Sequence, residues 1–114
     1  MEITGNDYRV FRADDSAEVT FEGTLRLSGT NAYKPIAQML QEVGEGGVDV
    51  ITLDMRHLQF LNSAGINVLY KFALKLSRKG GTKLIVHGSK EYVWQKKVLG
   101  NLNHFVKDLE IEFS

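Results

Sequence analysis

Cysteine is absent from this chain. That excludes disulfide bonds and thiolate metal sites and is compatible with a reducing compartment. An excess of either charge is missing too: 14 lysines and arginines meet 14 acidic residues. The balance therefore calls for neither nucleic acid nor an anionic membrane as a partner. No apolar run approaches the ~18 residues that a membrane-spanning helix needs. The first 15 residues carry Glu2, Asp7, Arg9, Arg12, Asp14 and Asp15, a pattern that does not fit a signal peptide. A cytoplasmic location is the expectation. Proline occurs once, at Pro35, and there is neither an internal repeat nor a low-complexity segment.

Catalytic and metal signatures are equally scarce. His57, His87 and His104 are widely spaced and form no H-E-x-x-H pattern. Ser63 lies in Leu61-Asn62-Ser63-Ala64-Gly65, which is no G-x-S-x-G elbow. The glycines match neither G-x-G-x-x-G nor a Walker sequence. No enzyme activity, metal or cofactor is expected. What is present is a globular composition, 43% apolar and 25% charged over 114 residues. That is a single domain spanning 1–114, large enough for a core and too small for two.

The chain is organised around Val48–Ser77. Val48, Val50, Ile51 and Leu53 read as a strand buried on both faces, and Gly46-Gly47 before them favours strand over helix. Ile66, Leu69, Tyr70, Ala73, Leu74 and Leu76 then fall near one face of a helix that Gly80 and Gly81 end. Asn62 and Ser63 are both candidate caps, so a serine hydroxyl is expected at the positive end of this helix.

On either side the pattern continues. Tyr8, Val10 and Phe11 suggest a first strand, and residues 17–22 alternate clearly; the Asp14-Asp15-Ser16 punctuation makes 8–22 a hairpin. Residues 1–7 read as a frayed start or a weak edge. Gly23–Leu27 is either a strand extension or a loop. Ser28 and Thr30 are candidate caps for a helix over 31–43, with Pro35 in its first turn. Thr82–His87 reads as a strand, and Ser89 as the cap of a helix that Gly100 ends. Phe105-Val106 and Leu109–Phe113 compete as the last strand. The order is β-β-(β)-α-β-α-β-α-β, with a βαβ unit over 48–87.

The run Ile51-Thr-Leu-Asp54-Met-Arg-His-Leu58-Gln-Phe-Leu61-Asn62-Ser63-Ala64-Gly65-Ile66 resembles the signature of STAS domains, the fold of bacterial anti-sigma factor antagonists. That pattern is an apolar strand ending in Asp, a loop with apolar anchors, then Asp-Ser-Ser/Thr-Gly opening a helix. The Gly23-Thr24-Leu25 step and the element order resemble it as well. The resemblance implies an α/β fold of STAS type, a mixed β-sheet covered by helices. It also implies a regulatory protein partner that is both serine kinase and anti-sigma factor, with Ser63 as the phosphorylated position. Asn62 departs from the family's Asp, keeping the capping capacity and losing the charge. The tail departs too: a strand-like Leu109–Phe113 stands where a final helix is common.

Several readings stand side by side. Ser63 is an ordinary helix cap or a regulatory phospho-acceptor. Asp54 is a turn-stabilising carboxylate or a neighbour of that acceptor. Arg56, His57, Gln59 and Asn62 read as one loop that joins Arg26, Ser28, Ser63, Asn67 and Lys71 in a partner-binding surface made of the 24–30 segment, the 56–62 loop and the exposed face of the 63–78 helix. Tyr92 and Trp94 are expected to cover the sheet edge while Lys96 and Lys97 face water. The tail pairs within the chain or in a homodimer. Beside the switched antagonist stand two alternatives: a STAS-like complex-forming protein without a phosphorylation switch, and a small-ligand sensor.

Overall fold

The computed structural model describes residues 1–14 and 16–114. Asp15, in the predicted hairpin turn, lies outside the described residues. Six strands form one sheet in chain order: β1 (Glu2–Thr4), β2 (Tyr8–Phe11), β3 (Glu18–Leu25), β4 (Val50–Leu61), β5 (Lys83–Gly88) and β6 (Leu109–Phe113). β1, β2 and β3 pair antiparallel, and β3 through β6 are parallel. The mixed sheet and its helices match the expected α/β architecture. The weak N-terminal edge is β1, and Gly23–Leu25 extends β3. The last strand is Leu109–Phe113. Val106 is instead buried in the core, and the Phe105 ring lies 5.1 Å from that of Tyr70.

The parallel strands are joined by α2 (Lys34–Glu45), α3 (Ser63–Lys79) and α4 (Val93–Gly100), with a one-turn α1 (Gly29–Ala32) ahead of α2. Pro35 lies in the first turn of α2, where its missing N–H costs nothing. Ser28 precedes α1 without a side-chain cap bond. Tyr92 rather than Ser89 precedes α4; the Ser89 hydroxyl instead accepts from the Glu91 amide at 3.1 Å. Gly100 does not end the helical path, which continues as a 3-10 turn over Asn101–His104.

Buried side chains of α2 (Ile36, Met39, Leu40, Val43) and α3 (Leu69, Phe72, Ala73, Leu76) join Val19, Phe21, Ile51, Leu53, Leu84 and Val86 in one core cluster. The helices therefore cover one face of the sheet. The apolar run at Val48–Leu53 predicted burial on both faces, but Val50 is 41% exposed and Thr52 is half-buried. The opposite face is polar and carries ion pairs of Arg9 with Glu2 and Glu22, Lys83 with Glu110, and His87 with Glu112.

The largest departure from the sequence pattern is the length of β4. Residues 56–61 are strand, not loop. They pair with β3 through two irregularities in which β4 spends an extra residue: β3 advances from Thr20 to Glu22 as β4 advances from Asp54 to His57, and from Gly23 to Thr24 as β4 advances from Leu58 to Phe60. Such bulges break the alternation by which a strand is read from sequence. Gly23, at φ 88°, sits at the second of them, and a Cβ there would strike the Asp7 carbonyl.

β4 also outruns its neighbour, since pairing with β5 stops at Asp54–His87. α4 supplies what β5 does not. The fully buried Gln95 amide donates to the carbonyls of Met55 (2.7 Å) and Leu58 (2.9 Å), while its oxygen accepts from the Ser89 amide (2.8 Å). The Trp94 indole donates to the Gln59 carbonyl at 2.7 Å, and Lys96 and Lys97 are exposed. One side chain thus satisfies two buried carbonyls and a part-buried amide.

Candidate functional site

β4 and α3 meet at Asn62, whose backbone is extended (φ −78°, ψ 174°). Its Oδ1 accepts from the Gly65 amide at 3.1 Å, which makes it the helix cap. The same oxygen accepts from the Tyr33 hydroxyl at 2.6 Å, and Nδ2 donates to the Leu27 carbonyl at 2.9 Å. Asn62 therefore ties the exit of β3 and the start of α2 to the start of α3. Tyr33 is buried, and burial raises its phenol above the ordinary value, so it remains a protonated donor. The Nδ2 bond requires a donor, which an aspartate at this position lacks.

The motif glycine serves close approach. A Cβ on Gly65 would overlap the Leu61 side chain and lie 2.8 Å from the Tyr33 hydroxyl oxygen. Gly65 lets the first turn of α3 settle onto the Tyr33–Asn62 pair.

With capping assigned to Asn62, Ser63 occupies the first helical position and is exposed. Among the described residues its hydroxyl has no hydrogen-bond link to a histidine or carboxylate that would activate it as a nucleophile. Asn67 and Lys71 follow at i+4 and i+8, both exposed, and share a stripe with it. Arg26 lies just past β3, its guanidinium 4.7 Å from the centre of the Phe60 ring. Ser28 is exposed beside the Leu27 carbonyl that Asn62 holds. The structure thus gathers Arg26, Ser28, Asn62 and Ser63 at one end of the sheet, with Asn67 and Lys71 leading away along α3.

Arg56 and His57 are not in that group. Residues 56–61 of the expected 56–62 loop are strand, so Arg56 and Asp54 lie well back along β4, roughly 16 Å and roughly 23 Å from its end at the rise of an extended chain. Asp54 is therefore no neighbour of Ser63. Its nearly buried carboxylate grips Arg56 bidentately, Nε to Oδ1 at 3.0 Å and Nη2 to Oδ2 at 2.8 Å, and accepts the Arg56 amide at 3.1 Å. Hydrogen bonding from the guanidinium holds the Asp54 carboxyl below its usual value, against the opposing pull of burial. His57 is exposed on β4 opposite Glu22.

Sequence reasoning missed Tyr33, Phe60 and Gln95. Tyr33 had a signal, since a phenol at a core-facing helical position needs a partner. Gln95 had none: between Trp94 and Lys96 it reads as a surface residue. Among the described residues no three histidine or acidic side chains are grouped as metal ligands, and no helix is long and apolar enough to cross a membrane.

The chain belongs to the STAS domain family, whose model matches residues 13–111. No curated protein matches it in sequence. Among solved structures it is similar to a chain from the crystal structure of the diguanylate cyclase SiaD in complex with its activator SiaC from Pseudomonas aeruginosa, with TM-score 0.75 and 11% identity, covering 100% of this chain and 99% of that one. It is similar to SiaC of Pseudomonas aeruginosa, with TM-score 0.73 and 11% identity, covering 100% and 98%. It is also similar to apo-SiaC from the same organism, with TM-score 0.72 and 9% identity, covering 98% and 97%. At such identities the likeness is one of fold.

Proposed function

We propose that this protein is a non-enzymatic regulator that works by forming a complex with a protein partner, and that the end of the sheet around Asn62 is its docking surface. The carrying observation is that Arg26, Ser28, Phe60 and Ser63 are exposed on segments locked together by the Asn62 side chain. A surface held this way loses little conformational freedom on binding. The likeness in fold to SiaC, an activator found in complex with a diguanylate cyclase, supports association as the mode of action. The test is capture of a partner by the purified chain, followed by cross-linking mass spectrometry. Arg26→Glu together with Asn67→Arg abolishes capture while Arg56→Ala, on the polar sheet face, leaves it intact. Capture unaffected by the first pair overturns the assignment of this surface.

A second reading, the anti-sigma factor antagonist with a serine kinase as partner, is favoured by one observation. Ser63 is exposed at the positive end of a 17-residue helix and is relieved of capping by Asn62. A phosphoryl group there brings a charge of about −1.5 to −2 to a helix start that tolerates it, while it repels an acidic partner surface. Incubation with the cognate kinase and phosphosite mapping decides the matter. Label at Ser63 that disappears in Ser63→Ala supports a switch, and label elsewhere or nowhere leaves constitutive association.

A further inference from the structure

Between α2 and α3 runs a groove of about 480 Å³. Its floor is apolar, built from Ala37 and Leu40 of α2 and Val68, Phe72 and Leu74 of α3. Its rim is basic: Lys34 on one side and Lys71, Lys75 and Arg78 on the other, all exposed. Among the described residues none that lines it is acidic, and none of these four cations is in an ion pair. A smaller depression of about 180 Å³ continues the groove past Gln41, Phe72 and Lys75 to Glu45 and Lys79. From Lys34 to Glu45 the seam follows α2 for about 16 Å.

We infer that this groove takes an acidic amphipathic helix of a protein partner. Its floor matches apolar anchors at i, i+3 or i+4, and i+7, and its rim matches glutamates or aspartates flanking them. The basic stripe is written at i, i+4 and i+7 on α3, so it faces one helix side along the whole length. A small molecule fits less well: the uncharged polar residues that line the groove, Thr30, Asn31 and Gln41, are exposed like the cations, so no buried polar group is there for a ligand to converge on. The inference rests on the partner-binding reading but is centred on the α2–α3 groove rather than on the end of the sheet; the two surfaces adjoin at Thr30 and Lys71.

The probe is a synthetic 14-residue peptide with leucines at those anchor positions and glutamates elsewhere, titrated into the isotopically labelled full chain and followed by NMR. Amide shifts confined to α2 and α3 around Ala37, Val68 and Leu74 are expected, together with affinity that falls as salt rises. The triple variant Lys71→Glu, Lys75→Glu, Arg78→Glu, at exposed positions that leave the fold intact, weakens binding about tenfold or more. Overturning results are shifts elsewhere or none, equal binding of a peptide with lysines in place of glutamates, or dodecanoate filling the groove where the peptide does not. If the triple variant still captures the partner while the Arg26 and Asn67 changes abolish capture, the groove inference falls and the proposed function stands.

Discussion

Two adjacent residues divide the work at the head of α3. Asn62 holds the Gly65 amide, the Tyr33 hydroxyl and the Leu27 carbonyl, whereas Ser63 faces water. Asn62→Ala removes a cap and leaves a buried phenol without its acceptor, a loss of about 2–4 kcal/mol in urea denaturation. Ser63→Ala changes the same midpoint by no more than about 0.5 kcal/mol. Both residues are good caps in isolation. The choice fell to Asn62 because its amide has a separate acceptor and donor, Oδ1 for Gly65 and Tyr33 and Nδ2 for Leu27, at the position where all three partners meet, and that requirement is invisible in the motif. Asp54 makes a second prediction at this scale. Arg56 depresses its folded pKa below the ordinary value of 3.8, so the pair adds stability above that value and loses it as pH falls through the folded pKa. Acid titration of Asp54→Asn, followed by circular dichroism, gives a shallower loss of stability below about pH 4 than the native chain.

At the level of elements, the decisive fact is that β4 extends to Leu61 and needs α4 to finish it. Replacing Gln95 with Met keeps the volume and removes all three hydrogen bonds, at a cost of about 2–4 kcal/mol. Hydrogen exchange at the Ser89 amide speeds up with it, while exchange in the core of β5 changes by the global destabilisation alone. Most elements were legible in the sequence, because apolar periodicity and flanking glycines are local signals: the hairpin of β2 and β3, the α2 stripe, α3, and β5. The far half of β4 was not, since two bulges scramble its alternation and place Arg56, His57, Gln59 and Phe60 outward in near succession. A polar run following an apolar strand looks like a loop when the partner strand is unseen.

For the molecule as a whole, the tail closes the parallel side of the sheet. β6 pairs with β5 from Leu84–Leu109 to Gly88–Phe113, and Ser114 exchanges backbone bonds with Gly88 and Lys90. Removing residues 109–114 bares the edge of β5 over Leu84 and Val86, lowering stability by at least about 2 kcal/mol and promoting self-association in sedimentation measurements. Alternation in Leu109–Phe113 announced a strand, but not its neighbour. The sequence by itself determined the family, the element order and the presentation of Ser63 at a helix start, because each is written in contiguous residues and short-range spacing. The tertiary structure alone decided that Asn62 caps α3, that Asp54 pairs with Arg56 far from Ser63, and that Gln95 completes β4. The bonds of Asn62 to Tyr33 and Leu27, and of Gln95 to Met55, join residues 29, 35 and 40 positions apart. Only the packed sheet and helices bring such partners within reach, and the free energy of satisfying buried polar groups then selects among side chains that look interchangeable along the chain.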